Sequence, residues 1–372
     1  MSKTISINPY TGEELKVYKN HTKKEVSEII DKADKRFYSW RDTSFSERKK
    51  LMLAAASELK KNKKEYAETI TLEMGKPISQ AIAEIEKCAW GCEYYAENAE
   101  KQLQNEMIKT DADKSYVSYE PLGVVLAIMP WNYPFWQVFR FAAPALMAGN
   151  IGVLKHASNV FGSALNIEKV FKRAGFPENC FTSLLVGSDA IENIIENEKV
   201  KAETLTGSGP AGSSVASIAG KNIKKTVLEL GGSNALVVLK DCDMEKTVET
   251  CVMARFQNTG QSCIAGKRLI IDASISEEFV EKMLIKIREL KSGDPMDEET
   301  FVGTLAREDL AQDLEKQVNE SIKAGAKLVI GGTRQGAYFE PTVLTNVTEK
   351  MAVFNEETFG PVLSVTTFKT IE

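Results

Sequence analysis

From about residue 115 onward, short apolar strands alternate with helical stretches, and this alternation constrains the fold of the 372-residue chain more than any other feature. SYVSYEPLGVVLAIMP (115–130) begins with polar–apolar alternation and ends in a continuous apolar run. It reads as a long strand, or a strand pair, that starts exposed and enters a core. Helices are then predicted at 135–148, 160–174, 189–197 and 210–220, separating strands at 151–155, 181–186, 202–206 and 225–230. Strands separated by helices form βαβ units and hence a parallel, Rossmann-like sheet. A second set follows, with strands at 234–239, 268–272, 327–332 and 362–368 and helices at 243–257, 275–291 and 307–324. The fold class is α/β with two units, Rossmann-like in the first, dividing near Gly231-Gly232. Ahead of both sets, 23–40, 45–74 and 78–104 carry apolar residues at helical spacing with Lys and Glu on the other face, the pattern of amphipathic helices.

Composition narrows the function classes. Hydrophobic residues make up 43% and charged residues 27%, ordinary for a globular chain with a sizeable core. The net charge of −5 gives no general attraction to nucleic acid or an anionic membrane. No stretch has the ~18 apolar residues of a spanning helix, and the N-terminus lacks an apolar leader core. A cytoplasmic protein is expected. The six cysteines show no paired spacing that would mark a disulfide framework. Cys88 and Cys92 lie four apart on a helix but have no second pair, so no metal site is expected. With only two histidines, His21 and His156, a Cys-His or Ser-His-Asp arrangement is disfavoured.

Four segments could carry chemistry. In FQNTGQSCIAGKR (256–268), Cys263 follows a turn-forming Asn-Thr-Gly and precedes Lys267-Arg268. Nearby positive charge favours the nucleophilic thiolate, although a cysteine in an α/β core is more often structural. In LELGG (228–232), Glu229 ends a strand where parallel sheets place their sites. Burial there would suit a carboxylate to activate water, and the alternative is a side chain leaving the edge into solvent. In PWNYP (130–134), two prolines pin a loop holding Asn132, whose amide could donate to an oxyanion, or which is a plain turn. TGSGPAG (206–212) opens a helix whose N–H groups could bind a phosphate, a weak signal alone.

Together, FQNTGQSC, LELGG, PWNYP, TGSGPAG, VLKHAS (153–158) and EETFGPV (356–362) resemble, in order and spacing, the NAD(P)-dependent aldehyde dehydrogenase superfamily. The resemblance runs from NPYTGE (8–13) to the last residue. LKHASNV, LTGSGPAG and the helix after PWNYP are similar to those of bacterial succinate-semialdehyde dehydrogenases. The resemblance implies that Cys263 attacks an aldehyde carbon, that Asn132 holds the oxyanion, and that Glu229 activates water to hydrolyse a thioester. It implies that 1–102 and 122–231 bind NAD(P), that 103–121 is an oligomerisation strand in a homo-oligomer, and that 232–372 is the catalytic domain.

The same resemblance places Trp131, Lys155, Ser158, Gly207, Ser208, Gly212, Leu230, Glu357 and Phe359 around the cofactor. NAD-preferring members usually carry Glu where this chain has Ser158. Without that carboxylate, and with Lys155 near, a ribose 2′-phosphate is tolerated, so NADP is expected and NAD is possible. Arg140, eight residues after Asn132, implies an aldehyde with a terminal carboxylate, which a guanidinium holds bidentately. The alternative is an arginine reaching the surface. A second arginine of other semialdehyde enzymes is replaced here by Gln257. The resemblance also implies a longer chain, so C-terminal truncation is expected. Two rival readings remain: an inactive truncated paralogue with a binding or structural role, and a thioester passed to CoA, against which Glu229 argues.

Overall fold

The computed structural model describes residues 2–371. Contacts cluster into two units: residues 1–6, 16–69 and 82–229, and residues 7–15, 70–81 and 230–372.

The first unit holds a five-stranded sheet of β1 (Val124–Met129), β2 (Ile151–His156), β3 (Phe181–Ser183), β4 (Val200–Gly207) and β5 (Lys225–Leu230), in the order β3-β2-β1-β4-β5. β1 is parallel to both β2 and β4, and β2 to β3. Every residue of β1 and β2 is buried; β1 is a continuous apolar run, and β2 is apolar up to Lys155 and His156. The chain winds from β1 through β2 to β3 and then crosses to β4 on the other side of β1. That reversal opens a crevice at the C-terminal ends of β1 and β4, where doubly wound sheets bind ligands.

The helices follow their sequence signals. Helix α1 (Lys23–Trp40) starts with a capping box, Thr22 accepting from the Glu25 amide and Glu25 accepting from that of Thr22. Its buried stripe is Val26, Ile30, Ala33, Phe37 and Trp40. The single helix expected over 45–74 is two, α2 (Phe45–Lys61) and α3 (Lys63–Met74), parted at Asn62. Asn62 leaves helical geometry (φ −110°, ψ 23°) and its side-chain amide donates to the Glu58 carboxylate at 2.8 Å; Asn has low intrinsic helix propensity. α4 (Ile78–Gln102) follows. The segment 115–130 is not one strand. Tyr116–Val117 pairs with Glu106–Met107 in an exposed hairpin, and β1 begins after Gly123 at φ 131°. An N-terminal hairpin, Lys3–Ile7 with Glu14–Lys19, was not among the expected elements.

The second unit holds β6 (Asn234–Val238), β7 (Gly266–Asp272), β8 (Lys327–Ile330), β9 (Thr342–Thr345) and β10 (Val362–Phe368), ordered β6-β7-β10-β9-β8. Neighbours are parallel except β8, which runs antiparallel to β9. β9 is four residues long and gave too little period to be read from sequence. Helices α9 (Met244–Phe256) and α10 (Ser276–Arg288) bury Phe256, Phe279 and Met283 with Leu269, Ile271 and Leu363 of the sheet. Among the described residues no helix is long and apolar enough to cross a membrane.

Candidate active site

In the first unit, the crevice edge is laid out by strand register. Lys155 of β2 pairs with Ile128 of β1, which pairs with Leu205 of β4. The PWNYP loop after β1, Lys155-Ser158 after β2 and Gly207-Ser208 after β4 therefore leave the sheet at one level. Lys155 is buried, and desolvation pulls its pKa below the usual lysine range, partly offset by Asp189. Trp131 and Ser158 are half-buried. α8 (Gly209–Lys221) starts at Ser208, an exposed N-cap, with Pro in its first turn and no acidic residue there. A Cβ built on Gly209 would meet nothing within 4 Å, so the first turn of this helix is open to its surroundings. Thirteen residues of helix with a polar, non-acidic N-terminus at the C-terminal edge of the sheet fit the diphosphate of a dinucleotide.

The Asn132 loop is held from three sides. Asn132 itself is buried. Glu84 of α4 accepts from the amides of Phe135 and Trp136, both at 2.9 Å, covering the start of α5 (Trp136–Met147). Phe135 stacks on Phe139, which stacks on Phe171. His156, fully buried, accepts the Ala157 amide at Nδ1 (2.9 Å), which leaves Nε2–H to donate to Pro134 O (2.9 Å). Burial pushes its pKa down to about 4, so the ring is a neutral strut between the loops after β1 and β2. Sequence reading gave His156 and Glu84 no role, because both act through contacts distant in the chain.

Arg140 and Glu229 stand together, Nη2 to Oε2 at 3.6 Å. They line a cavity of about 490 Å³ with Gln137, Asn150, Thr204 and Lys225. Glu229 takes the exposed alternative and not the buried one: its side chain is 54% exposed. It sits at the end of an edge strand, where no further strand covers it. Leu230 is also exposed.

In the second unit, Cys263 is half-buried and lies on a loop with unusual backbone. Asn258, Thr259 and Gly260 all have positive φ, 55°, 54° and 72°. For β-branched Thr259 this is a strained conformation, which persists only when its surroundings over-determine it. They do. Gln80 accepts the Asn258 amide at 2.7 Å, Thr259 Oγ1 accepts from Gly303 N at 3.1 Å, and Gln261 Oε1 accepts from Ala306 N at 2.9 Å. Gln257, at the helix end, is exposed.

The two basic residues after Cys263 diverge. Arg268 covers the Phe354 ring at 4.8 Å. Lys267 is fully buried and donates to the carbonyls of Cys263 (2.9 Å) and Gly232 (2.7 Å), with Glu357 Oε1 at 2.8 Å. Arg255, also fully buried, donates to Thr358 O at 2.9 Å and to Gly360 O. Desolvation lowers both cations, Arg255 to about 9. Phe359 lies 5.9 Å from the Lys267 ammonium. Arg255 had no sequence signal, sitting in an expected helix with nothing to mark it as buried.

The switch-point crevice of the first unit, with a helix N-terminus and a buried lysine at the ends of its strands, is that of a dinucleotide-binding α/β protein. The aldehyde dehydrogenase family model matches residues 2–372, and the chain belongs to that family. A probable NADP(+) succinate-semialdehyde dehydrogenase of Synechocystis is 48% identical over 360 residues, covering 96% of this chain and 79% of its own length. The Mycobacterium avium NADP(+) succinate-semialdehyde dehydrogenase is 50% identical over 367 residues (97% and 78%). The structure of Streptococcus pyogenes succinic semialdehyde dehydrogenase with NADP+ superposes with a TM-score of 0.96 at 33% identity (99% and 82%).

Proposed function

We propose that the chain oxidises succinate semialdehyde, or a similar small aldehyde ending in a carboxylate, to the acid with NADP+ as preferred acceptor. The observation that carries the substrate reading is Arg140, a guanidinium lining a cavity large enough for a small aldehyde. Relatives about half identical and named for that reaction with NADP support it.

The cofactor would be held by Lys155 and Ser158 at the adenosine ribose, by Gly207, Ser208 and Gly212 at the diphosphate, and by Trp131, Leu230, Glu357 and Phe359 toward the nicotinamide. When bound, it accepts the hydride that converts the aldehyde adduct to a thioester. The Cys263 thiolate adds to the aldehyde carbon, and the carbonyl oxygen becomes an oxyanion. The Asn132 amide and the Cys263 N–H stabilise that charge. Glu229 then takes a proton from water as its oxygen attacks the thioester carbon, and Cys263 leaves as thiolate. Arg140 holds the far carboxylate. A CoA acceptor is disfavoured by Glu229, and an inactive structural role by the intact set of reactive residues.

We propose further that the protein is a cytoplasmic homo-oligomer. All six cysteines are free, as in a reducing compartment. The hairpin within 103–121 exposes Met107, Tyr116, Val117 and Tyr119, a surface suited to a second copy. The test is formation of reduced nicotinamide from succinate semialdehyde with NADP+ or NAD+, with Cys263→Ala alongside. Cys263-dependent reduction that is faster with NADP+ is expected; reduction indifferent to Cys263 refutes the mechanism.

A further inference from the structure

Lys267 is a fully buried cation of the second unit. Its ammonium has no solvent exposure and meets two backbone carbonyls and a carboxylate. A buried ammonium is stable only when its charge and hydrogen-bonding capacity are used, and here two carbonyls accept from it and a carboxylate pairs with it. Those acceptors belong to three different segments: the nucleophile's turn through Cys263 O, the Gly231-Gly232 turn through Gly232 O, and the 356–360 segment through Glu357.

Glu357 is confined from its other side as well. A Cβ built on Gly231 would fall 2.0 Å from Glu357 Oε2, so the carboxylate packs against a position where only hydrogen fits. Arg255 fixes the next residues through Thr358 O and Gly360 O. Two buried cations thus flank a segment with one carboxylate between them.

We infer that Lys267 is a positioning residue, fixing Glu357 as a hydroxyl acceptor for the cofactor ribose while tying that carboxylate to the Cys263 turn. The inference rests on the dinucleotide reading above. It requires Lys267 and Glu357 to act as one unit in cofactor affinity.

The test is equilibrium binding of NADP+, by calorimetry, to wild type, Lys267→Met, Glu357→Gln and the double variant. Each single variant is expected to weaken binding about tenfold, the scale of losing one charge-assisted hydrogen bond. The double variant should be little weaker than either single one, since coupled residues are not additive. KM for the aldehyde should move much less than affinity for NADP+. Gly231→Ala keeps the lysine and displaces Glu357, so it should match Glu357→Gln and carries the test if Lys267→Met does not fold. Wild-type affinity in Lys267→Met, wild-type affinity in Gly231→Ala, or losses that multiply in the double variant would overturn the inference alone. Wild type binding neither NADP+ nor NAD+ would overturn the dinucleotide reading and the inference with it.

Discussion

Arg140 Nη2 lies 3.6 Å from Glu229 Oε2, joining the proposed substrate anchor to the proposed base, and both side chains are partly exposed. An exposed pair of this kind is worth about 1 kcal/mol or less, so a substrate carboxylate offering two oxygens to the guanidinium can displace Glu229. Anchoring and release of the base are then the same event. Arg140→Met should raise KM for succinate semialdehyde by about 10- to 100-fold, the cost of a charge-assisted contact. Butanal, of equal chain length and uncharged, should change little. Steady-state kinetics on both aldehydes decide it, and an equal loss for both would remove Arg140 from substrate recognition.

Cys263 and Glu229 should fail at different stages. Cys263→Ala should remove turnover altogether, since no other thiol has comparable surroundings. Cys92 and Cys180 are buried, and desolvation raises both thiols, Cys180 to about 12. Glu229→Gln should still form about one reduced nicotinamide per site in a rapid burst, then stall, because only thioester hydrolysis needs the base. Rapid-mixing kinetics separate the two. A Glu229→Gln enzyme without a burst would place Glu229 before hydride transfer.

The braced loop makes Gly260 a sensitive position. Its φ is 72°, and an added Cβ would stand 2.4 Å from the carbonyl oxygen of Gly360. An L residue there costs about 1–2 kcal/mol in backbone conformation, and the overlap about 1–3 kcal/mol more. Gly260→Ala should lower Tm by several degrees and reduce thiol-dependent activity more than tenfold, while Gly220→Ala, on α8 in open space, should change neither. Comparable melting curves for the two variants would show that the loop is looser than its hydrogen bonds imply.

His156 gives a pH signature. Its folded-state pKa is lowered from 6.5 to about 4 by burial, so the unfolded chain binds a proton that the folded one refuses. Stability from this group is fully present above pH ~6.5 and declines as pH falls toward ~4, by roughly 3 kcal/mol in all. His156→Gln keeps a donor toward Pro134 but cannot titrate, so its stability should vary less between pH 6.5 and 4.5. Paired denaturation curves across that window test it. Parallel curves would mean that His156 titrates alike in both states.

The alternating strands and helices, the two α/β units and the family were legible because each is written in local sequence: a period, a glycine turn or a motif. What escaped was written in distance. Glu84 caps a helix that begins 52 residues later, and Gln80 braces Asn258 across 178. Lys267 was visible as a charge beside Cys263, but not as the holder of Glu357, ninety positions on in the chain. The break at Asn62 was missed because helical period overrode a single asparagine, whereas strand position left burial and exposure of Glu229 both open, and its place on an edge strand exposes it.

Ser158 should decide the choice of nicotinamide cofactor. It begins a single helical turn directly after β2, two residues beyond buried His156 and three beyond Lys155. A neutral hydroxyl beside a lysine accepts a phosphorylated ribose, whereas a carboxylate there would repel the phosphate and accept from the free 2′-hydroxyl. Ser158→Glu should therefore lower kcat/KM for NADP+ by about 10- to 100-fold, since a like charge brought into contact costs a few kcal/mol at intermediate dielectric. The same change should leave NAD+ equal or better. Lys155→Met should weaken NADP+ more than NAD+, because it removes the positive partner of the phosphate while the ring contacts stay. If Ser158→Glu weakens both cofactors alike, position 158 shapes the pocket without reading the 2′ group, and the preference for NADP+ must then come from Lys155.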